Sequence, residues 1–316
     1  MVPAARHSSA TIAAVVLFYW VVSIALVFLN KLLLLRWDFS FPLTVTLFQL
    51  AFTWLSLLAL GTLGQRVALF AFVPPYEIRP RTVLRVLPLT LTFIAMLATG
   101  NLCLKHVEVS FYQVARSLTI CFSIALSYAM LGVTTSLRAI VACLVVVVGF
   151  AVGAKGEPQL SVEGLVFGVV SSVFVALYSI LVKSSLALPS IDGNHWRLLA
   201  YNSAIAVPLM MPLAAWQEWA GVVSSSALRD TEFWIVMLLA AALAVLISVA
   251  TFMQINYTSA LTNNISGTVK AALQTVLAIV VFGNEVTPLN ALGIVMVIGG
   301  SAWYGHIRFL ESQAKK

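Results

Sequence analysis

Ten apolar runs, each about as long as a helix that crosses a bilayer, account for nearly the whole chain. A helical crossing takes about 20 mostly apolar residues. The 316 residues are 61% hydrophobic and 9% charged, whereas soluble domains have about 25% charged residues. The pattern predicts an all-α polytopic membrane protein with ten transmembrane helices and no sizeable soluble domain. The runs lie at about 10–32, 42–62, 83–104, 109–132, 137–154, 160–182, 198–220, 231–255, 262–283 and 287–309.

The net charge of +7 comes from 18 Lys and Arg against 11 Asp and Glu, and the Lys and Arg are unevenly distributed among the connections between runs. With the N-terminus placed in the cytosol, eleven Lys and Arg fall on the cytosolic side and five on the opposite side. This positive-inside bias predicts that both termini are cytosolic and that the chain is embedded in the lipid bilayer. We therefore attribute the basic excess to membrane topology and predict no nucleic-acid partner.

A repeated turn indicates that the chain consists of two related halves. Thr135-Ser136-Leu137 precedes Thr287-Pro288-Leu289 by 152 residues, and each turn lies between two apolar runs. Each half contains five runs, so the second half must insert upside down relative to the first. We predict two inverted five-helix repeats, residues 1–156 and 157–316, that form one transporter domain. Such repeats place the substrate site near the midplane of the membrane, where the halves meet.

Two cations lie inside these apolar runs, at matching places in the two halves. Arg116 is the only charged residue over 109–137, and Lys270 is the only one over 233–284. A cation at mid-bilayer depth costs about 2.5–3.5 kcal/mol on the mildest insertion scale. We therefore predict that both residues line a hydrated cavity that receives an anion. A structural role at a helix end is the alternative for Arg116.

Polar side chains share a helical face with each cation. Tyr112 lies one turn before Arg116 in the fourth run. The polar face around Lys270 in the ninth run comprises Asn263, Ser266, Gly267 and Gln274. We predict that these residues bind substrate, with interhelical packing as the alternative for Ser266 and Gly267.

Two further groups complete the candidate site. The seventh run presents a ring, an amide and a hydroxyl in succession, Tyr201, Asn202 and Ser203. Aromatic faces stack on bases and amides pair with base edges, so these residues are candidates for binding a nucleobase; packing is the alternative. The first run ends in Asn30 and Lys31, and Lys31 could instead extend to the membrane surface. The residues that share a face with Asn30 are Tyr19 and Ser23.

The sequence does not support catalysis. The four histidines lie at run ends or in connections, and no two acids share a helical face within a run. The three cysteines lie inside runs without metal-ligand spacing. We predict no enzyme, no metal and no cofactor, and we expect exchange of one anion for another rather than proton coupling. An intramembrane transferase or a scaffold, the alternative class, would require an acidic or metal-binding cluster.

Three stretches, residues 111–119, 191–198 and 263–274, resemble the nucleotide-sugar transporter family. Within that family the likeness is closest to Golgi GDP-fucose transporters, and it covers nearly the whole chain. The Phe-Leu-Asn-Lys ending of the first run (28–31) is typical of the wider group that includes triose-phosphate translocators. The resemblance implies the ten-helix drug/metabolite transporter fold and a Golgi membrane protein that exchanges cytosolic GDP-fucose for luminal GMP.

The resemblance also implies roles for individual residues. In GDP-mannose relatives a Phe-Tyr-Asn-Asn motif contacts guanine, and a Gly-Ala-Leu-Asn-Lys motif contacts sugar and phosphate. Tyr201 and Asn202 match the centre of the first motif and Lys270 matches the lysine of the second, whereas the other positions differ. The departures argue against mannose, and GDP-mannose, a UDP-sugar or a triose phosphate are the alternative substrates. Faces of small residues also allow a homodimer.

Overall fold

A computed structural model describes residues 9–67, 73, 79–156, 161–257, 260–283 and 286–314, and among these residues it contains helices and connections but no strand. A short 3-10 turn, Ser226–Arg229, precedes the ninth helix. The helices are α1 (Ser9–Arg36), α2 (Pro42–Gly64), α3 (Pro80–His106), α4 (Val109–Ser117), α5 (Thr119–Leu131), α6 (Leu137–Lys155), α7 (Val162–Leu186), α8 (His195–Ser224), α9 (Thr231–Tyr257), α10 (Ala260–Phe282) and α11 (Pro288–Ala314).

Eight spans in this described part are long and apolar enough to cross a membrane, and α4 and α5 together form one of them. Helix α10 adds a shorter apolar stretch, Val269–Val281. The all-helical membrane architecture predicted from the sequence is therefore confirmed. The count of ten crossings and the inverted repeat stay predictions.

The helices begin and end where the local sequence favours it. Pro42 occupies the first turn of α2, where a missing N–H costs nothing. The side chains of Ser136 and Asn194 cap α6 and α8 by accepting hydrogen bonds from backbone amides of the first turn. Gly132 and Gly283 follow α5 and α10 with φ of 63° and 65°, a left-handed conformation that favours glycine at helix ends.

The crossing that the sequence predicts over 109–132 is two helices rather than one. Helices α4 and α5 meet at Leu118, whose N–H donates to the Ala115 carbonyl three residues earlier. The same carbonyl accepts a hydrogen bond of 2.7 Å from Ser172 Oγ of α7. A side chain that bonds to the backbone of a neighbouring helix is a recognised cause of such a break. Arg116 lies two residues before the break, in the last turn of α4.

The helices pack in pairs that connect the two halves of the chain. Helix α6 packs against α11, α3 against α7, α1 against α9, and α2 against α8. Smaller contacts join α2 to α9 and α3 to α8, while α10 packs against α11 and α4. Every one of these pairs except α10 with α11 joins one half of the chain to the other. The halves are therefore interleaved, and the helices with the two cations, α4 and α10, are neighbours.

Glycines bring α6 and α11 into close contact. A Cβ atom at Gly293 would overlap the Cα and N atoms of Gly153, and one at Gly149 would lie 2.7 Å from Met296 Cβ. Close approach of backbones at small residues is the usual basis of helix association in lipid. These small residues are buried within one chain, and the homodimer stays a prediction.

Candidate functional site

A cavity of about 340 Å³ lies where α1, α4, α5, α10 and α11 meet. Its volume is in the range of small-molecule sites, about 300–1,000 Å³. Both cations singled out by the sequence line it, together with hydroxyl groups and small residues. The lining residues are Tyr19, Gln113, Arg116, Ser117, Ile120, Gly267, Lys270, Ala271, Ile298, Ser301, Tyr304 and Gly305.

Lys270 lies near the middle of α10 and extends toward α1. Its Nζ donates a hydrogen bond of 2.9 Å to Ser23 Oγ and lies 5.1 Å from the centre of the Tyr19 ring. The hydroxyl and the ring face are both neutral, so they stabilise the ammonium group without neutralising it. The ammonium group therefore remains available to an anion in the cavity.

Arg116 contacts a residue one turn earlier in its own helix. Its Nη1 donates a hydrogen bond of 2.9 Å to the hydroxyl of Tyr112, and the guanidinium carbon lies 5.6 Å from the centre of that ring. Tyr112 is buried and does not line the cavity, whereas the Arg116 side chain is exposed to it. In this conformation Tyr112 supports Arg116, and its contact with substrate stays a prediction.

Among the described residues, the positive charge of the site has no nearby counter-charge. Within the described part of the chain, neither Arg116 nor Lys270 has a carboxylate within 4.0 Å. Both side chains line the same cavity. Unpaired charges in a protein interior are costly, and an anion bound in this cavity would form charge-assisted hydrogen bonds with both cations. The arrangement is suited to a phosphate or diphosphate.

Ser266 and Gly267 lie one turn before Lys270 and differ in their surroundings. Ser266 is buried, and its Oγ accepts hydrogen bonds from Trp20 Nε1 at 2.8 Å and from Gln254 Nε2 at 2.9 Å. It therefore connects α1, α9 and α10. Gly267 lines the cavity, and a Cβ atom at this position would meet nothing within 4 Å. Its missing side chain leaves space for a ligand beside Lys270.

Two of the predicted contacts on α10, Gln274 and Asn263, are not among the described residues that line the cavity. Gln274, one turn beyond Lys270, is fully buried, and neither of its amide atoms has a hydrogen-bond partner among the described residues. The side chain of Asn263 lies outside the described part of the chain. Binding of substrate by these two residues stays a prediction.

Asn30 and Lys31 are not part of the cavity lining. Lys31 Nζ donates to the carbonyl oxygens of Leu104 and Val107, at 2.8 and 3.0 Å, at the C-terminal end of α3. A cation there satisfies carbonyls that have no partner in the helix and complements its dipole. Asn30 Oδ1 accepts a hydrogen bond of 2.7 Å from Gln49 Nε2 of α2. In this conformation both residues connect α1 to its neighbours.

Tyr201, Asn202 and Ser203 are buried in α8 and do not line the cavity either. Tyr201 packs in an apolar cluster with residues of α3, and its hydroxyl accepts a hydrogen bond of 3.2 Å from the backbone N–H of Arg79. Both amide atoms of Asn202 and the hydroxyl of Ser203 have no hydrogen-bond partner among the described residues. Contact of these residues with a nucleobase stays a prediction.

Several lining residues are not among those predicted from the sequence. Gln113 lies three residues before Arg116, and Ser117 directly follows it. On α11, Ser301, Tyr304 and Gly305 form a stripe along one face. The hydroxyl of Ser301 is buried without a hydrogen-bond partner in the described residues. The i, i+3, i+4 spacing of this stripe in the last run was a usable signal, but hydroxyl stripes are common in membrane helices that only pack.

The chain matches a known protein family and named relatives. The model of the Triose-phosphate Transporter family matches residues 10–305. "GDP-fucose transporter 1" of Dictyostelium discoideum is 48% identical over 96% of this chain and 82% of its own length. "GDP-fucose transporter 1" of Nematostella vectensis is 40% identical over 96% of this chain and 91% of its own. "GDP-fucose transporter, Golgi" of Drosophila melanogaster is 34% identical over 94% and 90%.

The fold also has a counterpart among solved structures. A crystal structure of a protein with 17% sequence identity superposes with a TM-score of 0.51, covering 92% of this chain and 97% of the other. At this level of identity the likeness concerns the fold alone.

Proposed function

We propose that this chain, which belongs to the triose-phosphate transporter family, carries GDP-fucose across the Golgi membrane in exchange for GMP. The observation that carries the proposal is one cavity lined by Arg116 and Lys270, with no carboxylate near either cation among the described residues. The relatives named as GDP-fucose transporters, at 34–48% identity over most of the chain, identify the anion.

The chemistry of the substrate matches the lining of the cavity. A nucleotide sugar carries its charge on the diphosphate, and Arg116 can bind phosphate oxygens through two N–H groups while Lys270 supplies a point charge. The open space at Gly267 leaves room for the sugar next to the diphosphate. In this assignment Ser266 shapes the sugar end indirectly, since its hydroxyl is bonded to Trp20 and Gln254.

We assign the guanine to Tyr201 and Asn202. The assignment is supported by the motif likeness and by the two amide atoms of Asn202, which are buried without a hydrogen-bond partner among the described residues. Such atoms cost about 1–3 kcal/mol each until they find a partner. Because Tyr201 is buried against α3 here, guanine binding requires a conformation in which α3 and α8 separate at this level.

The same geometry accounts for exchange. An empty site leaves two cations in the protein interior without a carboxylate partner among the described residues, which disfavours movement of the empty protein between its two open states. A bound GDP-fucose or GMP neutralises both cations. In this mechanism the protein changes between its two open states only with an anion bound, in each direction. Uptake of one nucleotide therefore requires release of another.

We also propose that the two halves, residues 1–156 and 157–316, are inverted repeats of five crossings with both termini in the cytosol. Three features support this. The repeat pairs α1 with α7, α2 with α8 and α3 with α9. Under this pairing the contact of α1 with α9 is equivalent to that of α7 with α3, and the contact of α2 with α9 is equivalent to that of α8 with α3. The left-handed glycines that follow α5 and α10 occupy equivalent places. The distribution of Lys and Arg supports the orientation.

Uptake by purified protein in vesicles tests this function. Labelled GDP-fucose should enter vesicles that contain GMP and should enter empty vesicles or vesicles that contain UMP far more slowly, because only a guanine nucleotide completes the return step. A panel of unlabelled competitors, GDP-mannose, UDP-sugars and triose phosphate, measures substrate identity. Equal uptake into empty and GMP-loaded vesicles would exclude exchange, and stronger competition by GDP-mannose or a UDP-sugar than by GDP-fucose would change the substrate.

A further inference from the structure

Two hydrogen bonds connect α1 to α10 beside the cavity. Trp20 Nε1 donates to Ser266 Oγ at 2.8 Å, and Lys270 Nζ donates to Ser23 Oγ at 2.9 Å. Helix α1 packs mainly against α9, and α10 packs mainly against α11 and α4. These two hydrogen bonds connect α1 to the helix that carries Lys270, alongside a small packing contact.

The equivalent contact in the other half is built differently. In the proposed repeat, α7 corresponds to α1 and α4 corresponds to α10. Ser172 of α7 is fully buried and donates to the backbone carbonyl of Ala115, next to Arg116. A Cβ atom at Gly168 would lie 2.9 Å from Ala115 Cβ, so this contact is closely packed. A ligand cannot compete for it, because the bond is to the backbone and involves neither cation.

The contact between Ser23 and Lys270 involves the ammonium group itself. The anion that we place in the cavity competes directly for this group. A phosphate oxygen forms a charge-assisted hydrogen bond that is about twice as strong as a bond to a neutral hydroxyl. A phosphate shared with Arg116 would also draw Lys270 away from α1, toward α4.

We propose that Ser23 couples substrate binding to the movement of α1. In the empty protein its hydroxyl accepts the bond from Lys270 and helps to keep α1 against α10, and a bound phosphate displaces it and weakens this connection. The inference rests on the proposed function and adds a named residue to it. It explains why the empty protein stays in one state: the bond between Ser23 and Lys270 is intact only when no anion is bound.

The variant Ser23→Ala tests this coupling. Wild-type protein first establishes GMP-dependent uptake of GDP-fucose. In Ser23→Ala, uptake into empty vesicles should rise about tenfold, because the lost bond to a charged group restrained the empty protein, and uptake into GMP-loaded vesicles should be retained. The variant should also bind GMP at least as tightly as the wild type, since phosphate no longer displaces the hydroxyl.

Matched variants complete the experiment. Ser23→Thr keeps the hydroxyl and should behave as the wild type. Among the described residues, the Ser248 hydroxyl bonds within α9, to Ala244 O at 3.2 Å, and Ser248→Ala should change nothing. Should alanine impair folding, Ser23→Cys, with a weaker acceptor, should shift the ratio of empty to exchange uptake in the same direction.

Three results would overturn the inference. One is an unchanged ratio of empty to exchange uptake in Ser23→Ala, and another is loss of both uptakes in a folded variant. The third is weaker GMP binding by the variant, which would make Ser23 a substrate contact. Absence of GMP-dependent uptake in the wild type is a different result, because it contradicts the proposed function itself.

Discussion

Replacing Lys270 by methionine should reduce GDP-fucose uptake about 100-fold or more while the protein still folds. Removing one partner of a buried charge-assisted contact costs about 2–5 kcal/mol, and each 1.4 kcal/mol is a factor of about ten. Methionine approximates the shape of the lysine stem but cannot pair with phosphate. Lys270 has no carboxylate partner among the described residues, so its loss leaves no acid unpaired there. Exchange uptake at matched amounts of purified protein is the measurement.

Controls separate the charge from its position. Lys155→Met removes an exposed lysine at the end of α6 and should leave uptake unchanged. Lys270→Arg keeps the charge and should retain part of the activity, since a guanidinium is longer and differently shaped than an ammonium. Thermal unfolding in detergent checks that each variant folds. Normal exchange by folded Lys270→Met would remove this residue from the site.

The variant Gly293→Val should prevent accumulation of folded protein. A Cβ at this position overlaps backbone atoms of Gly153, and no rotation of a flexible side chain relieves such a clash. Overpacking of a core costs about 1–3 kcal/mol where side chains can adjust, and here α6 and α11 must separate. We expect a loss of at least about 3 kcal/mol, a large part of the stability of a typical domain. The yield of monodisperse protein and its unfolding temperature measure the effect.

A second glycine of α11 is the matched control. A Cβ at Gly299 would meet nothing within 4 Å, so Gly299→Ala should leave stability unchanged or raise it by up to about 1 kcal/mol through helix propensity. If Gly293→Val yielded protein as stable as the wild type, α6 and α11 would not be packed as the structure describes. If both variants failed equally, the effect would come from α11 itself rather than from its contact with α6.

Much of the fold follows from the sequence because lipid leaves few options. An apolar segment in a bilayer must satisfy its own backbone hydrogen bonds, so the run predicted over 137–154 corresponds closely to α6, Leu137–Lys155. The break at Leu118 was not predictable, because it accompanies a bond between Ser172 of α7 and the Ala115 carbonyl. Such a bond depends on the arrangement of helices that are far apart in sequence.

The candidate site was predictable to the extent that charge determines it. Arg116 and Lys270 are 154 positions apart, yet the cost of a cation in lipid predicts that both face water, and the structure places both on one cavity. Lys31 shows the limit of that argument. It is also a cation in an apolar run, but it bonds to carbonyls at the end of α3. The sequence does not reveal which lysine has a backbone acceptor within reach.

A structure of the purified protein with GMP bound would show where the phosphate binds. We expect the phosphate in the cavity between α4 and α10, with its oxygens about 2.7–3.2 Å from Lys270 Nζ and from the guanidinium of Arg116. A phosphate bound elsewhere, with Lys270 still bonded to Ser23 and the cavity occupied only by water, would show that Arg116 and Lys270 do not bind the substrate.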